Sequence, residues 1–389
     1  MMVFNKFSCS IHRLCLAHQQ KLIKQQWKSL HHFVCSQSFT GLINETQNLP
    51  SKKDFLKFHK ISRNHPITSS NIHHYASCQC HTSSKAISQT EGSTDTETSI
   101  CNSTIGETMK EWTGKLEAAG VPEADLSTQH IICHVLNINR MELIKYSDSH
   151  LTEKQNADFE RLMNCRYARM PVQYIIGHWD FHNITLKLRP PVFIPRPETE
   201  QLVELALERI CGQVKPKILE IGCGSGAISC ALLKAIPDLE MVALDHSQHA
   251  IKLTHENAQD LGVSDRLVLV EGKVTKEGLP PLPHDEYDLI VSNPPYVLRK
   301  DAMALAPEIM IYEDMRALDG GKEGLDIIKP LLKYCSQFLI KGRTMLLEVD
   351  PCHRFLITHW LASEKDNRWN MKVFQDFNEK DRFLEFTKE

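Results

Sequence analysis

A corner of four residues, Asn293-Pro294-Pro295-Tyr296, follows an apolar stretch, 288–292, that is typical of a buried strand. A residue before proline is pushed out of the helical region, and proline has no N–H to donate. The corner therefore presents backbone carbonyls, the side-chain oxygen of Asn293 and the flat ring of Tyr296. Two acceptors and an aromatic face suit a planar NH2 group. We predict these four residues as the catalytic and substrate-binding group; the structural alternative is a rigid turn.

A glycine-rich loop follows another predicted strand, 217–221. The loop residues are Gly222, Cys223, Gly224, Ser225 and Gly226. Glycine allows a backbone to approach a ligand closely. The spacing G-x-G-x-G matches neither the dinucleotide fingerprint G-x-G-x-x-G nor a phosphate loop ending in GK[ST]. The loop therefore predicts a nucleotide-like ligand of another kind.

Two acids flank this loop in the predicted sheet. Asp245 ends the next strand, 241–244, where a carboxylate can accept hydrogen bonds from both hydroxyls of a ribose. Together with the loop, it favours a nucleoside ligand without pyrophosphate, and S-adenosylmethionine fits. Glu220 is expected to order the loop or to face the methionine ammonium group. The alternative for Asp245 is a cap of the following helix.

Strands and helices alternate after residue 200, which predicts a parallel sheet with right-handed crossovers. Ligands of such sheets bind at the carboxyl ends of the strands, near the switch point of the topology. The glycine loop, Asp245 and Asn293 all stand at such ends, so Asn293 is also expected to contact the cofactor. Strands near Val373 and Phe383 are expected to add an antiparallel edge to this α/β fold.

The chain before the sheet changes character three times. We divide the protein into a leader and disordered segment (1–103), a helical bundle (104–170), a β-hairpin linker (171–199) and the α/β domain (200–389). Helical spacing of apolar residues begins at Thr104, and further helices are predicted from Pro122 and Thr152. A helix that starts near Thr199 is expected to lead into the α/β domain.

Charge and cysteine content exclude several classes of protein. Residues 1–105 carry 11 Lys and Arg against 5 Asp and Glu, whereas the remainder carries 34 against 43. An acidic body argues against direct binding of nucleic acid. The 13 cysteines include no C-x2-C pair, so we predict no metal site and a reducing compartment. No apolar run reaches the length of a membrane span, and no membrane partner is expected.

Residues 1–44 are basic, contain scattered apolar residues and lack Asp and Glu. This composition is typical of a mitochondrial transit peptide. We therefore expect the protein in the mitochondrial matrix. The alternative is an untargeted disordered tail.

The sequence resembles the HemK (PrmC) family of release factor glutamine methyltransferases, in their mitochondrial form. The motifs that carry the resemblance are 171–181, 194–200, the loop at 222–226, Asn293–Tyr296, and the glycine-containing stretch 317–325. The resemblance covers the chain from about residue 104 onward. It implies a Rossmann-like class I fold that uses S-adenosylmethionine. It further implies that a mitochondrial peptide chain release factor is the partner and that the glutamine of its Gly-Gly-Gln motif is methylated.

The resemblance also assigns roles that spacing alone does not. It implies that the helical bundle helps to dock the release factor and that Arg196 and Glu198 belong to the substrate site. A structural ion-pair cluster with Glu200 is the alternative for Arg196 and Glu198, and a purely structural appendage is the alternative for the bundle. Val274 stands where bacterial members often place an aromatic residue against the adenine. Other departures are Asp314, where the family usually has proline, and Asp350, where it often has glycine.

Three other functions use the same motifs. An adenine methyltransferase acting on nucleic acid shares the Asn-Pro-Pro-Tyr corner, but the acidic body and the lack of a basic, aromatic-rich recognition domain count against it. A protein-lysine methyltransferase is the second alternative. A binding scaffold without activity is the third, and the presence of the loop, Asp245 and Asn293 together disfavours it.

Overall fold

The computed structural model describes residues 100–364 and 369–389. The predicted transit peptide, and most of the predicted leader and disordered segment, lie outside these residues. None of the helices in the two described ranges is long and apolar enough to cross a membrane. Within the same ranges, no group of three or more His, Cys, Asp or Glu side chains is arranged to hold a metal ion.

A helical bundle with a two-stranded ribbon precedes the α/β sheet. Its elements are β1 (Ile100–Thr104), α1 (Ile105–Ala118), α2 (Ala124–Leu136), a 3-10 helix (Arg140–Tyr146), β2 (His150–Thr152) and α3 (Glu153–Tyr167). Thr104, Asn139 and Thr152 each form a capping box, as their positions in the sequence suggest. The second helix begins at Ala124 rather than at Pro122, because Glu123 adopts the left-handed conformation before it.

A short helix and a hairpin connect the bundle to the sheet. They are α4 (Val172–Ile176), β3 (His178–Phe181) and β4 (Ile184–Lys187). Phe181, Ile184 and Leu186 pack into the same apolar core as the sheet. The hairpin is therefore held on the sheet by burial of apolar surface.

The sheet domain follows the alternation read from the sequence. Its elements are α5 (Pro197–Ile210), β5 (Lys217–Ile221), α6 (Ala227–Ala235), β6 (Glu240–Asp245), α7 (Gln248–Asp260), β7 (Leu267–Glu271), β8 (Tyr287–Ser292), α8 (Arg299–Ala302), α9 (Pro307–Tyr312), α10 (Ile328–Tyr334), β9 (Leu339–Glu348), α11 (His353–Ser363), β10 (Trp369–Gln375) and β11 (Asp381–Lys388), with short 3-10 turns between some of them. The α/β class is confirmed.

The seven strands lie in the order β10-β11-β9-β8-β5-β6-β7. Strands β5 to β9 pair in parallel, whereas β11 pairs antiparallel with both β9 and β10. The chain runs outward from β5 through β6 to β7 and then returns to place β8 on the other side of β5. The topology therefore reverses between β5 and β8, which is where such sheets bind ligands.

Two apolar cores cover the two faces of the sheet. Alternate residues of one strand enter different cores: Ile218 packs with α5 and α6, and Leu219 packs with α10 and α11. This alternation is the period of two that a strand requires. Because both faces are buried, the parallel strands read as nearly continuous apolar runs.

Two element boundaries differ from the sequence prediction, and the first of them concerns a residue of the candidate site. Helix α5 begins at Pro197, two residues before Thr199, because proline fits the first helical turn, where its missing N–H has no helical partner. Thr199 is thus a buried residue of the first turn. Strand β9 begins at Leu339, six residues before the predicted start. The prediction was late because Gly342, with φ +78°, interrupts the alternation of the strand.

A buried ion-pair cluster ties the bundle to the sheet domain. Arg166 of α3 lies 3.2 Å from Glu308 of α9, and Arg169 contacts the same carboxylate at 3.1 Å. The Tyr312 hydroxyl donates to the carbonyl of Ala168 at 2.8 Å. Helix α9 follows the Asn293 corner in the chain. The segment that contains the corner therefore also carries the contacts to the bundle.

Candidate active site

The two main motifs meet at the reversal of the topology. The Ser292 hydroxyl at the end of β8 donates to the carbonyl of Ile221 at the end of β5, at 2.5 Å. A Cβ atom added to Gly222 would lie 3.9 Å from the carbonyl oxygen of Asn293. The glycine loop and the Asn293 corner are therefore adjacent, as the prediction from strand ends requires.

Helix α7 holds the glycine loop from behind. The Thr254 hydroxyl donates to the Gly224 carbonyl at 3.1 Å, and the Asn257 side chain donates to the Ser225 carbonyl at 2.9 Å. Gly226 has φ +81°, and a Cβ atom there would lie 2.8 Å from Thr254 Cγ2. Sequence reasoning did not single out Thr254 and Asn257, although both are polar residues on the buried face of an amphipathic helix.

The two non-glycine residues of the loop turn inward. Cys223 and Ser225 are both buried. Burial raises the pKa of the Cys223 thiol, and the neighbouring carboxylates Asp245 and Glu220 raise that pKa further. The loop backbone is exposed at Gly222, and the contacts of the loop with the cofactor stay a prediction.

Asp245 is fixed at the rim of the loop. One carboxylate oxygen accepts from the Gly224 N–H at 3.0 Å, and the other accepts from the Ser247 N–H at 2.9 Å. A carboxylate offers about four acceptor positions, so each oxygen retains one for a ligand hydroxyl. Asp245 is not a side-chain cap of α7, whose N-cap is Ser247. Its placement fits the predicted contact with ribose.

Glu220 faces the interior and orders the start of α6. Its carboxylate accepts hydrogen bonds from the backbone N–H and the hydroxyl of Ser229. Complete burial raises the pKa of Glu220 to about 8, although the bonds from Ser229 act in the opposite direction. This contact is compatible with the predicted loop-ordering role, and the contact with the methionine ammonium group stays a prediction.

Val274 lies in an apolar core beside Ile221 and Leu244, the last apolar residues of β5 and β6. It is 7% exposed. The side chain offers an aliphatic surface at the strand ends, where the resemblance places the adenine, and it lacks an aromatic face. Its contact with the cofactor stays a prediction.

Asn293 belongs to a directed chain of hydrogen bonds. Its side-chain nitrogen donates to the Thr199 hydroxyl oxygen at 3.2 Å, and that hydroxyl donates to Glu348 at 2.8 Å. The Tyr296 hydroxyl donates to the other oxygen of Glu348 at 3.3 Å. Asn293 and Tyr296 thus share one buried carboxylate at the end of β9. Sequence reasoning assigned no role to Glu348.

Tyr296 is held on its other side by His353 of α11, with ring centroids 6.3 Å apart and an edge-on geometry. Burial raises the pKa of the Tyr296 phenol, and the carboxylate of Glu348 raises that pKa further. The hydroxyl therefore remains a donor to Glu348 over the physiological range of pH.

The glycine-containing stretch at 317–325 packs directly against the Asn293 corner. A Cβ atom at Gly320 would lie 2.7 Å from the Cα atom of Tyr296. At Gly324, which has φ +72°, an added Cβ would overlap His353 and the Tyr296 carbonyl. Only glycine allows these backbones to approach so closely. The stretch therefore supports the corner.

Arg196 and Glu198 lie at the start of α5, the helix whose Thr199 contacts Asn293. Arg196 pairs with the buried carboxylate of Glu313 at 2.8 Å and stacks on Phe193, with 4.6 Å between the guanidinium carbon and the ring centroid. Burial raises the pKa of Glu313, which Arg196 partly offsets. Glu198 is close enough to raise the pKa of Glu348. Arg196 thus has a structural ion pair, and a substrate contact by either residue stays a prediction.

The fold and the glycine loop, together with a match to a protein-family model, define the class of this protein. The model of the methyltransferase small domain matches residues 184–338, which include the glycine loop, Asp245 and the Asn293 corner. The chain is therefore a methyltransferase, and its methyl donor is S-adenosylmethionine. The PrmC N-terminal domain model matches residues 107–177, which correspond to the helical bundle.

Curated relatives narrow the class to a family. The chain is 45% identical to the human MTRF1L release factor glutamine methyltransferase over 72% of this chain and 86% of the relative. It is 33% identical to a release factor glutamine methyltransferase of Deinococcus radiodurans (70% of this chain, 94% of the relative). A Geobacter sulfurreducens enzyme of the same name is 37% identical (61% and 82%). The chain belongs to the release factor glutamine methyltransferase family.

Proposed function

We propose that this enzyme transfers a methyl group from S-adenosylmethionine to the side-chain nitrogen of the glutamine in the Gly-Gly-Gln motif of a mitochondrial peptide chain release factor. The observation that carries the proposal is the corner at Asn293, which lies directly beside the glycine loop. The family of the chain supports the choice of substrate. The described residues fit the cofactor, since the loop backbone and the open acceptor positions of Asp245 suit a nucleoside.

The chemical problem is the poor nucleophilicity of an amide nitrogen, whose lone pair is delocalised into the carbonyl group. S-adenosylmethionine, when bound, supplies a methyl group that is already activated by its sulfonium. No nucleophilic side chain is then required, and the protein has to position the amide and exclude water. Orientation of two bound reactants can supply roughly 7–11 kcal/mol of a barrier.

The corner can perform this positioning with two acceptors and one ring. The Asn293 side-chain oxygen and the Pro294 carbonyl accept the two hydrogens of the substrate amide. The same acceptors stabilise the positive charge that develops on the nitrogen as the bond to the methyl group forms. Tyr296 packs against the planar amide, and Pro295 keeps the corner rigid. The proton leaves after transfer, so the mechanism requires no catalytic acid–base pair.

The direct test is a methyl-transfer assay with labelled S-adenosylmethionine. The three acceptors are mitochondrial release factor, the same factor with Gly-Gly-Ala in place of Gly-Gly-Gln, and duplex DNA. We expect label only on the first. Label on DNA would support the adenine methyltransferase alternative, and equal label on both proteins would support methylation of another side chain, such as lysine.

A mitochondrial location is part of the proposal, because residues 1–44 are basic and lack acids. A reporter protein fused after residues 1–103 should enter the mitochondrial matrix. The enzyme that lacks residues 1–103 should stay outside mitochondria. A reporter that remains in the cytosol would remove the support for a mitochondrial substrate and leave the glutamine chemistry standing.

A further inference from the structure

The side-chain amide of Asn293 has two orientations that exchange its oxygen and nitrogen. Only one of them presents Oδ1 to the NH2 group of a substrate amide, which donates two hydrogens and accepts none. In the other orientation, the Asn293 nitrogen would oppose the substrate nitrogen. Which orientation is occupied is decided by hydrogen-bond partners, because the two have almost the same shape.

We propose that Thr199 and Glu348 are positioning residues that fix the amide of Asn293 in the productive orientation. The proposal rests on the proposed function of the Asn293 corner and extends it to residues outside the motif. It concerns a relay of three groups, defined as Glu348, Thr199 and Asn293.

The direction of the relay follows from the chemistry of its end. An ionised carboxylate can only accept hydrogen bonds. The single hydroxyl hydrogen of Thr199 is therefore used by Glu348, at 2.8 Å. The Thr199 oxygen is left as an acceptor, so the group that meets it at 3.2 Å must be the Asn293 NH2. The opposite end of the amide, Oδ1, is then turned away from Thr199 and is presented for binding.

Burial makes this direction strict. Thr199 is 3% exposed and Glu348 is 1% exposed. Water cannot easily replace either partner, and an unsatisfied polar group in such a place costs about 1–3 kcal/mol. The Tyr296 hydroxyl donates to the second oxygen of Glu348, so the carboxylate also fixes the ring that covers the substrate.

Protonation of Glu348 would release the relay. The pKa of this carboxyl is raised to about 7. Burial and repulsion from Glu198 raise it, whereas the bond from Thr199, the charge of Arg382 of β11 and the bond from Tyr296 partly oppose the increase. A protonated carboxyl can donate to the Thr199 oxygen, and the Thr199 hydroxyl can then donate to Asn293 Oδ1. We therefore expect kcat to fall as the pH drops below about 7.

Variants of Thr199 separate the relay from simple packing. T199S keeps the hydroxyl and loses a methyl group, whereas T199V keeps the volume and loses the hydroxyl. We expect T199S to keep kcat within about threefold and T199V to lower it about tenfold, on the scale of one hydrogen bond. The affinity for S-adenosylmethionine should change little in both variants, and the acidic limb of the pH profile should be absent in T199V.

The control for loss of a buried hydroxyl is T128V. Thr128 is fully buried in the helical bundle, where its hydroxyl donates to the Ala124 carbonyl at 2.9 Å. T128V should lower stability to a similar extent and leave kcat and its pH profile unchanged. Equal losses in T199S and T199V, or a wild-type rate and pH profile in T199V, would overturn the relay.

A second measurement needs no substrate and therefore separates this inference from the proposed function. Selectively labelled Asn293 reports its NH2 resonances by NMR in the full chain. In the wild type, we expect one slowly exchanging proton whose shift titrates near pH 7, and we expect both features to be lost in T199V and the titration to be lost in E348Q. If the release factor is not methylated but the titration is present, the function fails and the relay stands. If Asn293 does not titrate in the wild type, the relay fails.

Discussion

At the scale of single residues, the site depends on carboxyls that are kept away from water. Glu220 lies near the end of β5 and Glu348 at the end of β9, and both are buried. Burial raises both pKa values, to about 8 for Glu220 and about 7 for Glu348. Such groups destabilise the fold when they ionise. Their position near strand ends, beside the edge of the sheet where a ligand is expected, fits a role in ordering the loop and the corner.

Glu220 gives a prediction about stability and pH. The folded state holds its proton up to about pH 8, whereas the ordinary pKa is 4.5. The stabilisation by that proton is complete below pH 4.5 and is lost as the pH rises through 8. E220Q keeps an acceptor oxygen for Ser229 and cannot ionise. Its free energy of unfolding, relative to the wild type, should rise between pH 5 and pH 8.5 by roughly 1–4 kcal/mol.

Denaturant unfolding of the ligand-free protein at the two pH values measures this difference. The control is E111Q, because the side chain of Glu111 is 62% exposed. We expect E111Q to change the free energy of unfolding by less than about 0.5 kcal/mol at both pH values. A constant difference between E220Q and the wild type would show that Glu220 is ionised in the folded state throughout.

Individual residues also mark the limit of what the sequence could predict. Asn293, Asp245 and the glycine loop were readable because each follows an apolar strand directly. Thr199 and Glu348 are separated by 149 positions, and no local spacing connects them. One signal was available, since a glutamate that ends an apolar strand has to be buried with partners.

At the scale of elements, the glycine loop depends on its fit against α7. Gly226 has φ +81°, and an added Cβ would lie 2.8 Å from Thr254. Gly342 in β9 has nearly the same φ, +78°, but open space around it. A comparison of substitutions at the two positions therefore distinguishes the effect of backbone strain from the effect of a clash in the loop.

We expect both G226A and G342A to lose about 1–2 kcal/mol of stability, because each places a side chain in the left-handed region. Only G226A should also weaken binding of S-adenosylmethionine, by about tenfold or more. The added methyl group displaces Thr254 and breaks its hydrogen bond to the Gly224 carbonyl, and the expected loss of affinity is on the scale of that one hydrogen bond. Calorimetric titration of the two variants provides the comparison. Equal affinities would mean that the loop does not hold the cofactor in the manner we describe.

Element boundaries were predictable where the start signal is local. The capping boxes at Thr104, Asn139 and Thr152 each lie within four residues of sequence. Helix α5 was placed two residues late, because Pro197 was read as part of a stiff loop although proline also favours a first helical turn. The early start of β9 was missed because Lys341, Gly342 and Arg343 interrupt the apolar pattern after Ile340.

At the scale of the whole molecule, the ion-pair cluster of Arg166, Arg169 and Glu308 sets how the bundle sits on the sheet domain. Removing one partner of a buried pair leaves an uncompensated charge. E308Q should therefore cost roughly 3 kcal/mol of stability. If the bundle docks the release factor, as the family resemblance implies, the same change should raise KM for the full-length factor several-fold.

A short Gly-Gly-Gln peptide separates docking from chemistry, because it can reach Asn293 without the bundle. We expect E308Q to methylate the peptide at the wild-type rate. D158N is the control, since the pair of Asp158 and Arg161 is solvent-exposed on α3. A parallel loss with peptide and full-length factor would mean that Glu308 acts on the catalytic corner instead.

The most direct test of the account is mass-spectrometric mapping of the release factor after single-turnover reaction with the wild type and with N293A. We predict one added methyl group on the glutamine side chain of the Gly-Gly-Gln motif. N293A should react at least about 100-fold more slowly, as expected when a group that stabilises developing charge is removed, and should lose far less affinity for S-adenosylmethionine than rate. A methyl group on lysine, or an N293A variant that binds the cofactor and reacts at the wild-type rate, would contradict the account.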